Sequence, residues 1–260
     1  MYETDLTDSQ WQVIEKSLPT TRRRKYSLRL ILNALLYLTK SGCQWRLLPN
    51  DFPPYPICFY YFRRWQATGQ WVGLNKVLVG LERQQSAPSG QASPSVAILD
   101  AQSIKSSERG VPDKGFDGHK KVQGRKRQLV VDTGGRLLAV SVSPANENDR
   151  TGGQKALQNL HEQGYERLTL VLTDAGYAGR PLAEWAQTYG GWRLEIAPGL
   201  SGNGGFTPQP IRWVVERSIS WLHWDRRLSR DYLSRDYECE TTSAEAFLFL
   251  SSIRHLIRKF

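Results

Sequence analysis

Apolar residues recur every three to four positions through the first 85 residues and then give way to short unbroken runs, so the chain reads as helices followed by strands. Thr7 and Gln10 stand in capping-box spacing, and Leu6 and Trp11 are placed as a hydrophobic staple. Trp11, Ile14 and Leu18 then share a face, which predicts a helix over residues 6–18 that Pro19 ends. Ser27 caps a second predicted helix, running to about Lys40 with Leu28, Ile31, Leu32, Leu35 and Leu36 on one face and Gly42 as its stop. A proline-rich turn, GCQWRLLPNDFPPYP, leads into CFYYFRRWQATGQW, a segment that mixes aromatics with Arg63 and Arg64. A fourth helix is expected over residues 71–85. Residues 86–95, SAPSGQASPS, have no apolar periodicity and read as a linker between domains 1–85 and 96–260.

Beyond the linker, residues 96–99 form an apolar run that ends on Asp100, the pattern of a buried strand delivering a carboxylate at its end. Residues 104–126 read as a polar, Gly- and Lys-rich insertion. Residues 128–132 and 136–142 predict a hairpin turning at Gly134 and Gly135, with Asp132 suited to the turn. Asp149 is placed as the cap of a helix reaching about Gln163, and residues 168–172 form a strand with Asp174 just past its end. A helix ending near Tyr189, a strand over 192–197 and a Gly-rich loop at 199–205 precede the final patterned helix. The order βββαβαβα predicts an RNase H-like α/β fold: a five-stranded mixed sheet with flanking helices, preceded by a small all-α, helix-turn-helix-like domain. Parallel strands present their C-terminal ends at a common edge, so Asp100 and Asp174 are expected to approach each other.

On the last helix, Ile211, Val215, Ile219 and Leu222 form one stripe, and Arg212, Glu216 and His223 form a second beside it. Taken alone, Arg212 and Glu216 are an ordinary i,i+4 pair worth about 0.2–0.5 kcal/mol. With Asp100 and Asp174 delivered from two strands, Glu216 becomes the third member of a carboxylate triad. Three converging carboxylates suit hard divalent cations such as Mg²⁺, which takes oxygen ligands and fills its shell with water and phosphate oxygens. Two such ions support in-line displacement at phosphorus. The expected chemistry is therefore DNA phosphodiester hydrolysis and transesterification. Asp100 would bridge both ions, with Asp174 holding one and Glu216 the other. Arg212 would steady Glu216 or contact a phosphate, and His223 would touch DNA or a leaving group. Asp117 is a further available carboxylate, while His119 and His161 lack ligand spacing.

Charge supports the choice of substrate. The 35 Lys and Arg against 25 Asp and Glu leave a net charge of +10, which favours a polyanionic partner. Candidate DNA contacts are Arg22, Arg23, Arg24, Arg63, Arg64, Lys105, Lys120, Lys121, Arg125, Lys126 and Arg217. Cys43, Cys58 and Cys239 are too few and too scattered for a disulfide framework or a zinc site. The start of the chain has no basic segment followed by an apolar run, and nothing approaches about 18 consecutive apolar residues. A cytoplasmic protein, nucleoid-associated when bound, is expected.

Six stretches also resemble one known family: DLTDSQWQVIEKSLP, ILNALLYLTKSGCQWRLLPNDFPPY, ILDAQSIK, GFDGHKKVQGRKRQLVVDTGGRLLAVSVSPANENDR, LTDAGYAG and RWVVERSISWLHWDRRLSRDY. Together they span nearly the whole chain, which is similar to the DDE transposases of the IS5 group within the wider IS4/IS5 superfamily. The resemblance implies that Asp100, Asp174 and Glu216 are the DDE triad, that the cofactor is Mg²⁺ or Mn²⁺, and that the substrate is the element's terminal inverted repeats. The superfamily's Tyr, Arg, Glu, Lys signature is matched at Arg212 and Glu216, whereas Gln209 and His223 occupy the Tyr and Lys positions. Handling two DNA ends and a target favours a homodimer on DNA. A nuclease or resolvase that cuts without joining, and a non-catalytic DNA-binding protein, are the alternatives.

Overall fold

The computed structural model describes residues 1–18, 24–86, 90–106, 112–197, 210–229, 235–236 and 238–260. Helix α1 (Asp8–Glu15) begins under the expected capping box: the Gln10 amide donates to Thr7 Oγ1, and the Thr7 amide donates to Gln10 Oε1. Its expected stop, Pro19, lies outside the described residues. Ser27 caps α2 (Leu28–Ser41), and Gly42 ends it at φ 66°. Glycine is required there twice over, because a Cβ would also stand 2.9 Å from the backbone carbon of Arg226. The proline-rich stretch and a 3₁₀ turn separate α2 from α3 (Tyr55–Ala67), so the tight helix–helix turn falls instead between α3 and α4 (Gln70–Ser86).

Three helices of this region, α2, α3 and α4, pack on α8 (Thr241–Ile257), which also touches α7 (Pro210–Leu222) and the strand Leu137–Pro144. Phe247 of α8 stacks on Phe62 of α3 with ring centroids 4.7 Å apart. One hydrophobic cluster accordingly runs from Leu6 through the sheet to Ile257. Polar ties cross the same seam: Asn75 donates to the Leu137 carbonyl at 2.7 Å, Arg83 pairs with Asp132, and Arg136 pairs with Glu82. Residues 86–95 thus connect two groups of elements that share one core.

The sheet is mixed. Its strands are β1 (Val96–Ser106), β2 (Gly115–Asp117), β3 (Val122–Asp132), β4 (Leu137–Pro144), β5 (Leu170–Thr173), β6 (Arg193–Ile196) and β7 (Arg235–Asp236). Antiparallel pairing joins β1, β3 and β4, and parallel pairing joins β1, β5 and β6, giving the order β4-β3-β1-β5-β6 of an RNase H-like sheet. Two short strands, β2 on β3 and β7 on β1, raise the expected five strands to seven among the described residues. The first strand does not stop at Asp100 but continues to Ser106, because β3 begins at Val122 and pairs with it as far as Lys105 with Gly124. The described residues of the supposed insertion at 104–126 are therefore largely strand and turn; their polar side chains hid the period of two. Helices α5 (Asp149–Glu162), α6 (Arg180–Gly190) and α7 complete the domain. Among the described residues no helix is long and apolar enough to cross a membrane.

Candidate active site

Asp100 sits where the parallel partner of β1 ends, one residue beyond the Leu99 and Thr173 pair, and Asp174 follows directly at the end of β5. The backbone fixes both side chains. The Ala101 amide donates to Asp100 Oδ1 at 2.7 Å, and Asp174 caps a 3₁₀ turn (Ala175–Tyr177) by accepting from the Gly176 amide at 2.8 Å. Glu216 lies exposed on α7, beside Val215, which is buried, and Ile219, which is partly buried. All three carboxylates line a single cleft of about 610 Å³, together with Gln102, Ser103, Asp117, His119, Lys120, Lys126, Asp149 and Tyr177.

The β3–β4 hairpin holds α7 in place. Arg217 donates to the Gly134 carbonyl at 3.0 Å, and Ser218 Oγ donates to the Gly135 carbonyl at 2.8 Å. The residues that grip the turn therefore follow Glu216 immediately in sequence. Arg217 also lies between Trp213 and Trp221, at 4.5 and 4.6 Å from the ring centres, which assigns it a cation–π role on the helix. The side chain of Arg212 and all of Gln209 lie outside the described residues.

Helix α5 supplies a carboxylate that the sequence pattern assigned elsewhere. Its cap is Asn148, which accepts from the Thr151 amide at 2.9 Å, and Asp149 is the first helical residue. Freed from capping, Asp149 turns to the cleft and accepts from Lys126 Nζ at 2.8 Å. A Cβ on Gly176 would lie 3.0 Å from Asp174 Oδ1 and 3.1 Å from Asp149 Oδ2, so one glycine separates the two carboxylates. Gly152 and Gly153 let α5 come this close: side chains there would press on Gln128 and on Tyr177. The Tyr177 hydroxyl, donating to Gln128, is held well above its ordinary range by burial first and then by the charges of Asp100, Asp149 and Asp174. Two consecutive glycines early in a helix were the signal in the sequence for this close approach.

Several expected DNA contacts face inward. Arg125 is fully buried, paired with Asp236 at 3.2 Å and donating to the carbonyls of Pro112, Glu238 and Cys239. Lys126 is buried against Glu147 and Asp149. The sequence reads Arg125 and Lys126 as DNA contacts, but β3 is a central strand, covered on both edges. Arg63 is tied to Glu240 and Ser243, joining α3 to the start of α8, while Arg64 is exposed and donates to the Tyr60 hydroxyl. Lys105, Lys120 and Lys121 are exposed, and Lys120 lines the cleft. Arg24 is partly buried; Arg22 and Arg23 lie outside the described residues. His223 meets Gln102 at 3.1 Å, and burial, followed by the charge of Arg127, pushes its imidazole down to about 4. At neutral pH this ring is an uncharged partner of β1, not a phosphate-binding cation. Asp132 does serve the hairpin turn, accepting from the amides of Gly134 and Arg136 at 2.9 Å.

Among the described residues no three Asp, Glu, His or Cys side chains converge tightly enough to enclose a metal ion by themselves. The donor set still fits a hard divalent ion. It consists of carboxylate oxygens on a cleft open to solvent, the arrangement Mg²⁺ favours when water and substrate phosphates supply the rest of its shell.

Comparisons with known proteins fall on both sides of the 86–95 connection. Residues 91–237 match the family model described as the transposase DDE domain, and residues 6–75 match a model of the IS4/5 transposase family. An insertion element IS402 uncharacterized 16.2 kDa protein from Burkholderia cepacia is 30% identical over 110 residues, covering 38% of this chain and 72% of that one. Among solved structures, a piggyBac transposase synaptic complex with hairpin DNA aligns over 96% of this chain and 70% of its own, at 8% identity and a TM-score of 0.41.

Proposed function

Since this chain belongs to the DDE-domain transposases of the IS4/5 family, a group of metal-dependent enzymes that cut and join DNA, we propose that Asp100, Asp174 and Glu216 are its catalytic, metal-holding triad. The observation that carries this reading is their meeting in one cleft from β1, β5 and α7. We further propose that the ions are Mg²⁺ or Mn²⁺, two in number. The DNA is the element's own terminal inverted repeats together with a target duplex, and the working form is a homodimer on DNA. Residues 1–85 serve as the end-binding part and residues 96–260 as the catalytic part, a division supported by the limits of the two family matches.

When bound, the ions supply an activated water or 3′-hydroxyl and stabilise the leaving oxygen. The chain's own residues set the stage. Ala101 and Gly176 amides orient Asp100 and Asp174 before any substrate arrives. The hairpin tip positions Glu216 through Arg217 and Ser218. Lys120, exposed at the cleft, offers a charge to a DNA phosphate.

The test is cleavage and strand transfer with Mg²⁺ on DNA carrying the element's ends, comparing wild type with Glu216→Gln. Both activities are expected to fall by at least about a hundredfold, with end binding retained in a mobility-shift assay. Full activity in the variant would remove Glu216 from the triad. Cleavage without joining by the wild type would identify a nuclease.

A further inference from the structure

We propose that Trp213 is a stacking platform for a DNA base that has left its pair beside the reacting phosphate; the place of that phosphate rests on the triad reading above. Helix α7 carries Trp213 three residues before Glu216, about 60° around the axis and about 4.5 Å along it. Both side chains are exposed, so the indole and the carboxylate share the outward side of the helix. The indole is 49% exposed, a large apolar surface left in solvent next to the cleft.

One face of the ring is already covered. The Arg217 guanidinium lies 4.5 Å from the Trp213 ring centre and 4.6 Å from that of Trp221, and Trp221 stacks in turn on His255 of α8 at 4.7 Å and 19°. The bond from Arg217 to the Gly134 carbonyl fixes the guanidinium. The bare backbone of Gly135 lies against this stack, since a Cβ there would stand 3.1 Å from Trp221 and 3.3 Å from Arg217. Trp213 is thus the outer end of a ladder of flat groups that runs inward to α8, and its ring is held before any partner arrives. A pre-set aromatic face beside a carboxylate cleft fits a nucleobase. Stacking accepts any base, little order remains to be imposed on the ring, and the guanidinium beneath it adds a charge that favours a polyanionic strand. A base inside a duplex has both faces covered by its neighbours, so the platform takes one that has left the stack. Holding that base on α7 keeps the neighbouring phosphodiester over the cleft.

The experiment measures binding of the full chain to DNA carrying the element's ends, by fluorescence anisotropy in Ca²⁺, with a single abasic site placed in turn at each nucleotide around the junction of element and flank. Trp213→Ala should lower affinity for intact ends roughly tenfold. Trp213→Leu should do the same and Trp213→Phe much less, since only Phe keeps a ring. At one nucleotide by the junction the abasic site should weaken wild type by a similar factor and Trp213→Ala no further. If Trp213→Ala fails to fold, Trp213→Leu, which keeps a cover over Arg217, takes its place. Abasic losses that add in full to that of the variant at every nucleotide tested, or full affinity in Trp213→Leu, overturn the proposal. A change in self-association at unchanged affinity for DNA also overturns it, and gives the platform to a second copy of the chain. Affinity is read here without cleavage, so full activity in Glu216→Gln would defeat the triad reading and leave the coupling between Trp213 and the base to be judged separately.

Discussion

His255 shows how a single side chain couples this fold to pH. Its ring stacks on Trp221 at 4.7 Å, and burial, followed by the charges of Lys259, Arg254 and Arg258, pushes its imidazole down to about 4. The unfolded chain takes up that proton near the ordinary value of about 6.5. Between the two values the unfolded state binds more protons, so this contribution to stability is intact above about pH 6.5 and is lost as pH falls toward 4. Urea denaturation at pH 7 and pH 5 should show a smaller loss for His255→Phe, which keeps the stack, than for wild type; His223, shifted in the same direction, supplies a remaining part. An equal loss in both proteins would count against the assignment. At this scale the meeting of three carboxylates in one cleft was legible, because Asp100 and Asp174 end apolar runs and Glu216 borders an apolar stripe. The burial of Arg125 was not: its partners Asp236 and Glu238 lie 111 and 113 residues further on, and a run of cations looks the same in sequence whether water or carboxylates surround it. Asp149 was misread for a similar reason, since Asn148 and Asp149 are both competent caps and tertiary contact with Lys126 decides between them.

The element that most directly governs the site is the β3–β4 hairpin. Gly135 adopts φ 85°, and a Cβ there would stand 2.7 Å from Ser218 Oγ, so the turn needs glycine both for its own backbone and for its contact with α7. Gly135→Ala should cost about 1–3 kcal/mol of stability. It should also lower strand transfer more than end binding, because the displaced helix is the one that carries Glu216; kinetics on pre-bound ends would check this. Equal losses in binding and transfer would mean a global defect. The hairpin was readable from Asp, Thr and two glycines between alternating strands, and α1 and α2 from their caps. The extensions of β1 and β3 and the short β2 and β7 were not. Their polar side chains hide the strand period, and β7 is two residues paired with β1 at Lys105 and Ser106.

Across the whole molecule, Glu82, Arg83, Asp132, Arg136 and Lys259 form a charged network that joins α4, the hairpin and the end of the chain. Asp132 is fully buried, so Asp132→Ala leaves Arg83 and Arg136 without their shared carboxylate and should cost about 3–5 kcal/mol. Because one core spans the helices and the sheet, the variant should still unfold in a single urea transition, with tryptophan fluorescence and circular dichroism coincident. Two separate transitions would show that the helical part stands alone. The change from helical to strand patterning gave no hint that a helix late in the chain, α8, completes the core of the first helices, since amphipathic periodicity identifies a buried face without identifying what covers it. That arrangement has a consequence for biosynthesis. The apolar faces of α2 and α4 leave the ribosome about 160 residues before Phe247 and Leu250, buried in the same core, are made. The nascent chain must hold those faces uncovered until α8 is made, with chaperones as their natural interim partners. A product terminated before α8 inherits the same deficit and cannot persist as a folded protein.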